Sequence, residues 1–409
     1  MASKLPTIGP FPLGVDNRKA DHALTQRAGN SSIDLLRSAT NVDITAEGRV
    51  RRRAGRTAVI AGSNVHSLWS DDRTAFFADG TSLFTLDAAM EPHALRNDLI
   101  AGQPLSFCEA GGTYYYTGAG LLGMVRDGAR TDFTPTLAAT PSLEPTAGAL
   151  PPGRYQLCFT QTGPAGESAA TLPQTIVLDA PGGISIAAPV SSFTTLVYMT
   201  GPDGEVLGRV GPIHGTLDIV APPALGARCP TLLMAPMPSG SIVRFSNGRL
   251  LVAVGNLLCY SEPFAHGLFN PAKNFIAFPA PVTLVEPCTN GVFIAADRTY
   301  WIDGEITQAA LQPKLPYGAV PHSSARHMRR PEVAYWIGEK GLVVGTPDGA
   351  VQVMQEAQLA LSGGPAGAAL VRESEGMQHV ITAVRDPMAT TGACSSYFDA
   401  EIIRKGTTP

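Results

Sequence analysis

Short apolar runs, bounded by Gly, Asp or Asn and never lengthened to helical size, set the rhythm of this chain. The clearest is NGRLLVAVGNLLCYSEP at residues 247–263, where two such runs meet at a Gly-Asn turn. Runs of this length between turn residues predict strands, and the turn predicts a hairpin. The pattern recurs as VHSLWSDDRTAFFADGTSLFTLD (65–87), PLSFCEAGGTYYYTGAGLLGMVRDG (104–128), SIVRFSNGRLLVAVGNLLCYSEP (241–263), PVTLVEPCTNGVFIAADRTYWIDG (281–304), VAYWIGEKGLVVGTPDGAVQVM (333–354) and ALVRESEGMQHVITAV (369–384). A period of roughly 35 to 50 residues is that of a β-propeller blade, because one small sheet cannot bury both faces until neighbours stack on it. About six blades are expected.

One interval between turns is far too long. Residues 145–236 carry GRYQLCFTQTGPAGESAATLP, QTIVLDA, GGISIAAP, TTLVYMTGPDGEVLGRV and GTLDIVAPP between Pro-rich flanks. Short strands at this spacing predict an inserted fibronectin- or immunoglobulin-like β-sandwich. The expected order is an N-terminal arm (1–38), a first part of the propeller (39–144), the sandwich (145–236) and a second part (237–409). A ring must close, and the element ATNVDITAEGRVRRRAGR (39–56) is expected beside the last strand, SSYFDAEIIR (395–404). Helix is confined to a turn or two near residues 32–37 and 355–360.

Composition agrees with an all-β chain: charged residues are 16%, with 43 Gly and 34 Pro among 409 residues. A net charge of -4 supplies no general attraction to nucleic acid or anionic lipid. The six cysteines, Cys108, Cys158, Cys229, Cys259, Cys288 and Cys394, form no Cys-x-x-Cys or zinc spacing and read mostly as buried free thiols, as in a reducing cytoplasm. The start, MASKLPTIGPFPLGVDN, has no export-signal pattern, and no apolar run is long enough for a membrane helix.

The ordered series GRYQLCFTQTGPAGESAA, TTLVYMTGPDGEVLGRVG, MAPMPSGSIVRFSNGRLLVAVGNLLCYSEPFAHGLFNP, VTLVEPCTNGVFIAADRTYWIDG and VAYWIGEKGLVVGTPDG resembles the nozzle, or tail tubular, proteins of short-tailed bacteriophages. The Asn-Val-Asp strand, Gly turn and arginines of residues 39–56 are similar to an opening element of those proteins. The resemblance runs in order from about residue 34 to 355, on motifs that are individually degenerate. It implies a virion structural protein assembled in the host cytoplasm: a propeller subunit of a six-fold tail ring below the portal and adaptor. The ring would touch tail fibre or tip proteins and conduct genomic DNA without sequence-specific binding. The chain is short for that family, which leaves open a hub ring or a tail-tip, receptor-binding adhesin; a propeller glycosidase is the enzymatic alternative.

The chemistry an enzyme needs is not evident. A glycosidase uses two facing carboxylates, but Asp71, Asp72, Asp79, Asp303, Glu305 and Asp348 lie in Gly-containing turns, where carboxylates cap backbone. His322 and His327 in PHSSARHMRR have no third ligand at suitable spacing. GESAAT at Gly166 lacks a nucleophile elbow, and nucleotide fingerprints are absent. No enzyme activity, metal or cofactor is expected. Two basic clusters remain: Arg49, Arg51, Arg52, Arg53 and Arg56, and Arg326, Arg329 and Arg330. Strand alternation would put Arg49, Arg51 and Arg53 on one face, a ridge suited to pairing with carboxylates of an adjacent subunit or of the same chain. A solvated face and contact with DNA are the other readings.

Overall fold

The computed structural model describes residues 9–28, 31–39, 42–45, 47–52, 60–71, 73–118, 120–308, 310–327, 330–354, 356–359, 364–374, 377–385 and 398–405. Among them the chain is all-β: strands pair antiparallel, and the helical elements are two 3-10 turns, Asp21–Ala23 and Ile306–Gln308. It divides into two compact units, one of residues 63–70 and 74–277, the other of residues 1–62, 71–73 and 278–409.

The first of these units holds three four-stranded meanders, each hydrogen-bonded in chain order. Sheet I comprises Val65–Ser70, Ala75–Asp79, Ser82–Leu86 and Pro92–Arg96; sheet II comprises Ser106–Ala110, Thr113–Gly118, Leu121–Arg126 and Ala129–Thr131. Sheet III comprises Ile242–Ser246, Arg249–Val254, Leu257–Tyr260 and Phe275–Ala277. The opening turn of sheet III is set by Asn247 and Gly248, both at positive φ (47° and 74°) between the paired Ser246 and Arg249. That is the two-residue turn whose twist matches a hairpin, and only residues tolerant of the left-handed region fill it.

Alternation along Thr113–Gly118 shows how the sheets stack. Tyr114 and Tyr116 join Phe76, Leu83 and Phe107 in a core shared with sheet I, where the Phe76 and Phe107 rings stack at 5.6 Å. Tyr115 points the other way, into a core with Val243, Leu250 and Val252 of sheet III. Sheet II is therefore buried on both faces. The seam with sheet III is closed by the Val243 N–H donating to Ser106 Oγ (3.1 Å) and the Gly240 N–H donating to Thr117 Oγ1 (2.9 Å).

Between sheets II and III the chain forms two further sheets. Ser142–Leu150, Gly182–Ala187 and Thr216–Ile219 make one; Gly153–Gly163, Gly166–Glu167, Gln174–Leu178, Thr194–Met199 and Gly208–Ile213 make the other. Leu150, Ile184, Ile186 and Ile219 from the first meet Tyr155, Leu157, Phe159, Val197, Met199 and Ile213 from the second in one core. The odd-numbered inward residues of Gly153–Gly163 leave Cys158 on the opposite face.

The other unit repeats the meander. Sheet IV comprises Leu284–Cys288, Gly291–Ala295, Thr299–Asp303 and Leu311–Leu315, and sheet V comprises Ala325–His327, Arg330–Gly338, Gly341–Gly345 and Val351–Met354. Sheet VI has three strands, Gly367–Ser374, Met377–Val384 and Phe398–Lys405. Phe293 lies between Trp301 (4.5 Å) and Trp336 (5.2 Å), joining sheets IV and V. Gly345 permits this contact, since a Cβ there would come within 2.5 Å of the Phe293 ring. Tyr335, Ile337 and Val344 pack with Val380 and Val384 to join sheets V and VI. Two small hairpins, Thr25–Ala28 with Ser31–Asp34 and Val42–Ile44 with Val50–Arg52, complete this unit.

Three sequence expectations change. Residues 32–37 are not helical: Ser31–Asp34 is a strand paired with Thr25–Ala28, whose ladder supplies the backbone bonds a helix would have made. Residues 356–358 form a turn, while Gln355 and Ala360 lie outside the described residues. The expected closing pair is not among the described pairings, since Val50–Arg52 pairs with Val42–Ile44 and Phe398–Lys405 pairs with Met377–Val384.

Candidate functional site

The first arginine cluster stands on the hairpin of Val42–Ile44 and Val50–Arg52. Its register sets Arg51 opposite Asp43 and Arg52 opposite Val42. The turn is built by Thr45, whose Oγ1 donates to Glu47 Oε2 (2.8 Å) and accepts from the Arg49 N–H (3.2 Å). Gly48 is required there: its φ is +77°, and a Cβ would strike the backbone of Phe11 and Pro12 at 2.5–2.7 Å. The Phe11 N–H donates to the Gly48 carbonyl (2.7 Å), so the N-terminal segment buttresses the turn. Arg49, Arg51 and Arg52 are exposed, as is Val50 between them. Arg53 and Arg56 lie outside the described residues.

The second cluster is dispersed. Arg326, on the first strand of sheet V, pairs through Nε with Oε2 of Glu286 on the first strand of sheet IV (3.2 Å) and donates from Nη1 to the Pro287 carbonyl (2.9 Å). Glu286 is 2% exposed, and its other oxygen accepts from Ser324 Oγ (2.6 Å). The alternation that buries Glu286 between two sheets is the same that buries its apolar neighbours, so the carboxylate requires a cation. Arg329 lies outside the described residues, and Arg330 begins the next strand opposite His327.

Of the turn carboxylates, Asp79 and Asp71 are held by backbone. Asp79 accepts from the N–H groups of Asn64 (2.7 Å) and Ser63 (3.2 Å), and Asp71 from that of Arg73 (2.8 Å). The Thr346 hydroxyl donates to Asp348, a bond that holds the Asp348 carboxyl below its ordinary range. Thr307 Oγ1 donates to Glu305 (3.4 Å), and Asp303 ends the third strand of sheet IV opposite Gly291. Asp72 lies outside the described residues. His322 occupies a turn at φ 62° and His327 a strand. Among the described residues no group of three His, Cys, Asp or Glu side chains is placed to hold a metal ion. No described helix is long and apolar enough to cross a membrane.

Gly166–Glu167 pairs back onto Gly153–Gly163, and Glu167 Oε1 accepts from Thr160 Oγ1 (2.7 Å) and the Tyr198 hydroxyl (2.8 Å). Burial and this carboxylate together push the Tyr198 phenol well above its usual value. Beside Tyr198, on the outward side of the same sheet, Cys158 meets Cys229. The sequence separates these thiols widely and gives no pairing signal. Cys108, Cys158 and Cys259 are buried free thiols as expected, Cys229 and Cys288 are half-buried free thiols, and Cys394 lies outside the described residues.

Arg96 places its guanidinium on Asp98 (2.7 Å through both Nε and Nη2) and on the Tyr116 hydroxyl (3.1 Å), tying the last strand of sheet I to sheet II. His266 Nδ1 lies 2.8 Å from the Tyr115 hydroxyl, and Nε2 donates to the Gly248 carbonyl (3.3 Å). Burial lowers its pKa, opposed by the Gly248 bond.

No protein-family model matches the chain, and no curated protein matches it. Among solved structures it is similar to the Neurospora crassa Pan2 WD40 domain (11% identity, 77% of this chain and 85% of that one, TM-score 0.34). It is also similar to apo AztD from Citrobacter koseri (13%, 83% and 86%, 0.33) and to Kluyveromyces lactis Hsv2 (8%, 82% and 95%, 0.29).

Proposed function

We propose that the chain is a structural subunit of a bacteriophage tail, of the nozzle or hub kind, which assembles into a ring around the path of the exiting genome. The observation that carries this reading is the order of elements: an arginine-bearing hairpin, two four-stranded meanders, a two-sheet body, then three more four-stranded meanders and a three-stranded one. The motifs by which the sequence resembles nozzle proteins fall, in their order, on the hairpin, the two-sheet body and the three four-stranded meanders after it.

On this reading the meanders are blades of one β-propeller and the two-sheet body is an immunoglobulin-like module inserted in it. Head-to-tail contact between identical subunits closes into a ring when the rotation per subunit allows, six-fold in this proposal. The exposed Arg49, Arg51 and Arg52 then meet carboxylates of the neighbouring subunit, where guanidinium groups fix register by bidentate bonds. The subunit is a scaffold and not an enzyme, with Asp71 and Asp79 serving nearby backbone. DNA passes without tight contact, since phosphates gripped by a channel would slow ejection.

Gold-labelled antibodies against the chain, applied to purified phage particles, test this assignment. Label at the junction of capsid and tail is expected. Label at the distal tip alone, or absence of the chain from particles, would overturn it. A purified chain that degrades host polysaccharide would do the same in favour of a glycosidase.

A further inference from the structure

Cys158 lies at the centre of its strand, fully buried, on the sheet face turned away from the main core of the two-sheet body. Covering it is the connector that leaves this body. The Cys229 N–H donates to the Leu207 carbonyl (3.0 Å), Arg228 bridges Gly208, and the Ala170 N–H donates to the Thr231 carbonyl (3.3 Å). These bonds bring Cys229 over Cys158, beside Leu196, Tyr198 and Leu207. The two thiols lie in this one cluster, and Cys229 Sγ also lies 4.0 Å from Thr231 Oγ1.

We infer that Cys158 and Cys229 form a redox-reactive dithiol, a site at which a low-molecular-weight disulfide oxidises the pair to an intramolecular disulfide. The accessible member is Cys229, half-buried where Cys158 is sealed. The neighbouring Cys158 thiol, aided by Thr231, pulls Cys229 below the ordinary thiol range. The same pairing and burial push Cys158 far up. One nucleophile and one resolving thiol result.

The Cys229 thiolate attacks one sulfur of the small disulfide; the reagent's S–S bond breaks and one small thiolate leaves, giving a mixed disulfide on Cys229. That thiolate takes the proton of Cys158, whose sulfur then attacks Cys229 Sγ and expels the second small thiolate, which is protonated by water. The protein pair loses two electrons and the reagent gains them. Bonding needs the sulfurs to close to about 2.05 Å, and the connector, tied by single backbone bonds instead of a ladder, is the side that moves.

The other described cysteines do not share this chemistry. Cys108 and Cys259 are buried, and the half-buried Cys288 is pushed up to about 12 by burial and then by the Glu286 carboxylate.

The test treats the folded full-length chain with glutathione disulfide at neutral pH and maps peptides without reduction. A peptide pair joined through Cys158 and Cys229, released by dithiothreitol, is expected. Cys229→Ser should abolish it and leave Cys158 unmodified, while Cys158→Ala should stop the reaction at a glutathione adduct on Cys229. If the variants fail to fold, the pH profile of iodoacetamide labelling in the unaltered chain decides, with Cys229 reacting first and well below the ordinary thiol pH. A glutathione adduct on unaltered Cys229 with no link to Cys158, or labelling of Cys288 ahead of Cys229, would overturn the inference.

Discussion

Arg326 and Arg51 both sit in short strands within similar basic stretches, ARHMRRP and GRVRRRAGR, yet they meet different surroundings. Arg326 is drawn onto a carboxylate that is 2% exposed and adds a bond to a backbone carbonyl, joining two sheets of one chain. Arg51 and its neighbours Arg49 and Arg52 stay exposed on a two-stranded hairpin, facing Asp43 across the register. A buried carboxylate recruits its arginine for folding; the exposed arginines stay on the surface of their hairpin. Burial of the acid, not the number of arginines, separates the two.

The largest effect should follow from breaking the buried pair. Arg326→Ala removes the guanidinium paired with the buried Glu286, and removal of one partner of a buried pair costs about 3 kcal/mol, taken at the lower end because Arg326 keeps some solvent contact. Urea denaturation would read this as a lower midpoint. Replacing both partners, Arg326→Met with Glu286→Leu, should recover most of that loss, since it is the unpaired charge that is costly. If the double variant is no better than the single one, Glu286 is not what Arg326 serves.

An intermediate effect should come from acid. His266 is favoured neutral by burial, so its folded pKa lies below the ordinary 6.5. The stability it confers is present above 6.5 and is lost as pH falls from there through the folded value. Thermal midpoints measured between pH 7.5 and 5 should fall, with a shallower fall in His266→Gln. Equal slopes for the two proteins would remove His266 as the cause.

The smallest effect on the isolated chain should come from the exposed ridge. Arg49→Ala, Arg51→Ala and Arg52→Ala together remove contacts worth about 0–1 kcal/mol each, so the denaturation midpoint should barely move. Assembly is where the loss should appear: mass photometry of the triple variant should show monomer under conditions in which the unaltered chain oligomerises. A large stability loss would mean that the ridge serves its own fold.

The hairpins were legible because their cause is local. Asn247-Gly248, Gly111-Gly112 and the alternation of Tyr114, Tyr115 and Tyr116 can be read without knowing what they pack against. The fourth strands were not, because Pro92–Arg96, Ala129–Thr131 and Leu311–Leu315 are polar, short or mostly exposed, and form only because a preceding strand offers an unpaired edge. The arginine clusters could be found but not told apart, since what distinguishes them is the burial of Glu286. For the thiol pair nothing local exists: Cys158 and Cys229 meet through the path of a connector that the apolar pattern does not describe.

The measurement that bears most directly on the central claim is electron microscopy of the purified full-length chain, classified into end-on and side views. The account predicts closed rings of identical subunits around an open channel, dissolved by the triple arginine substitution into folded single particles. Monomers, or compact trimers with no central channel, at all concentrations would contradict it.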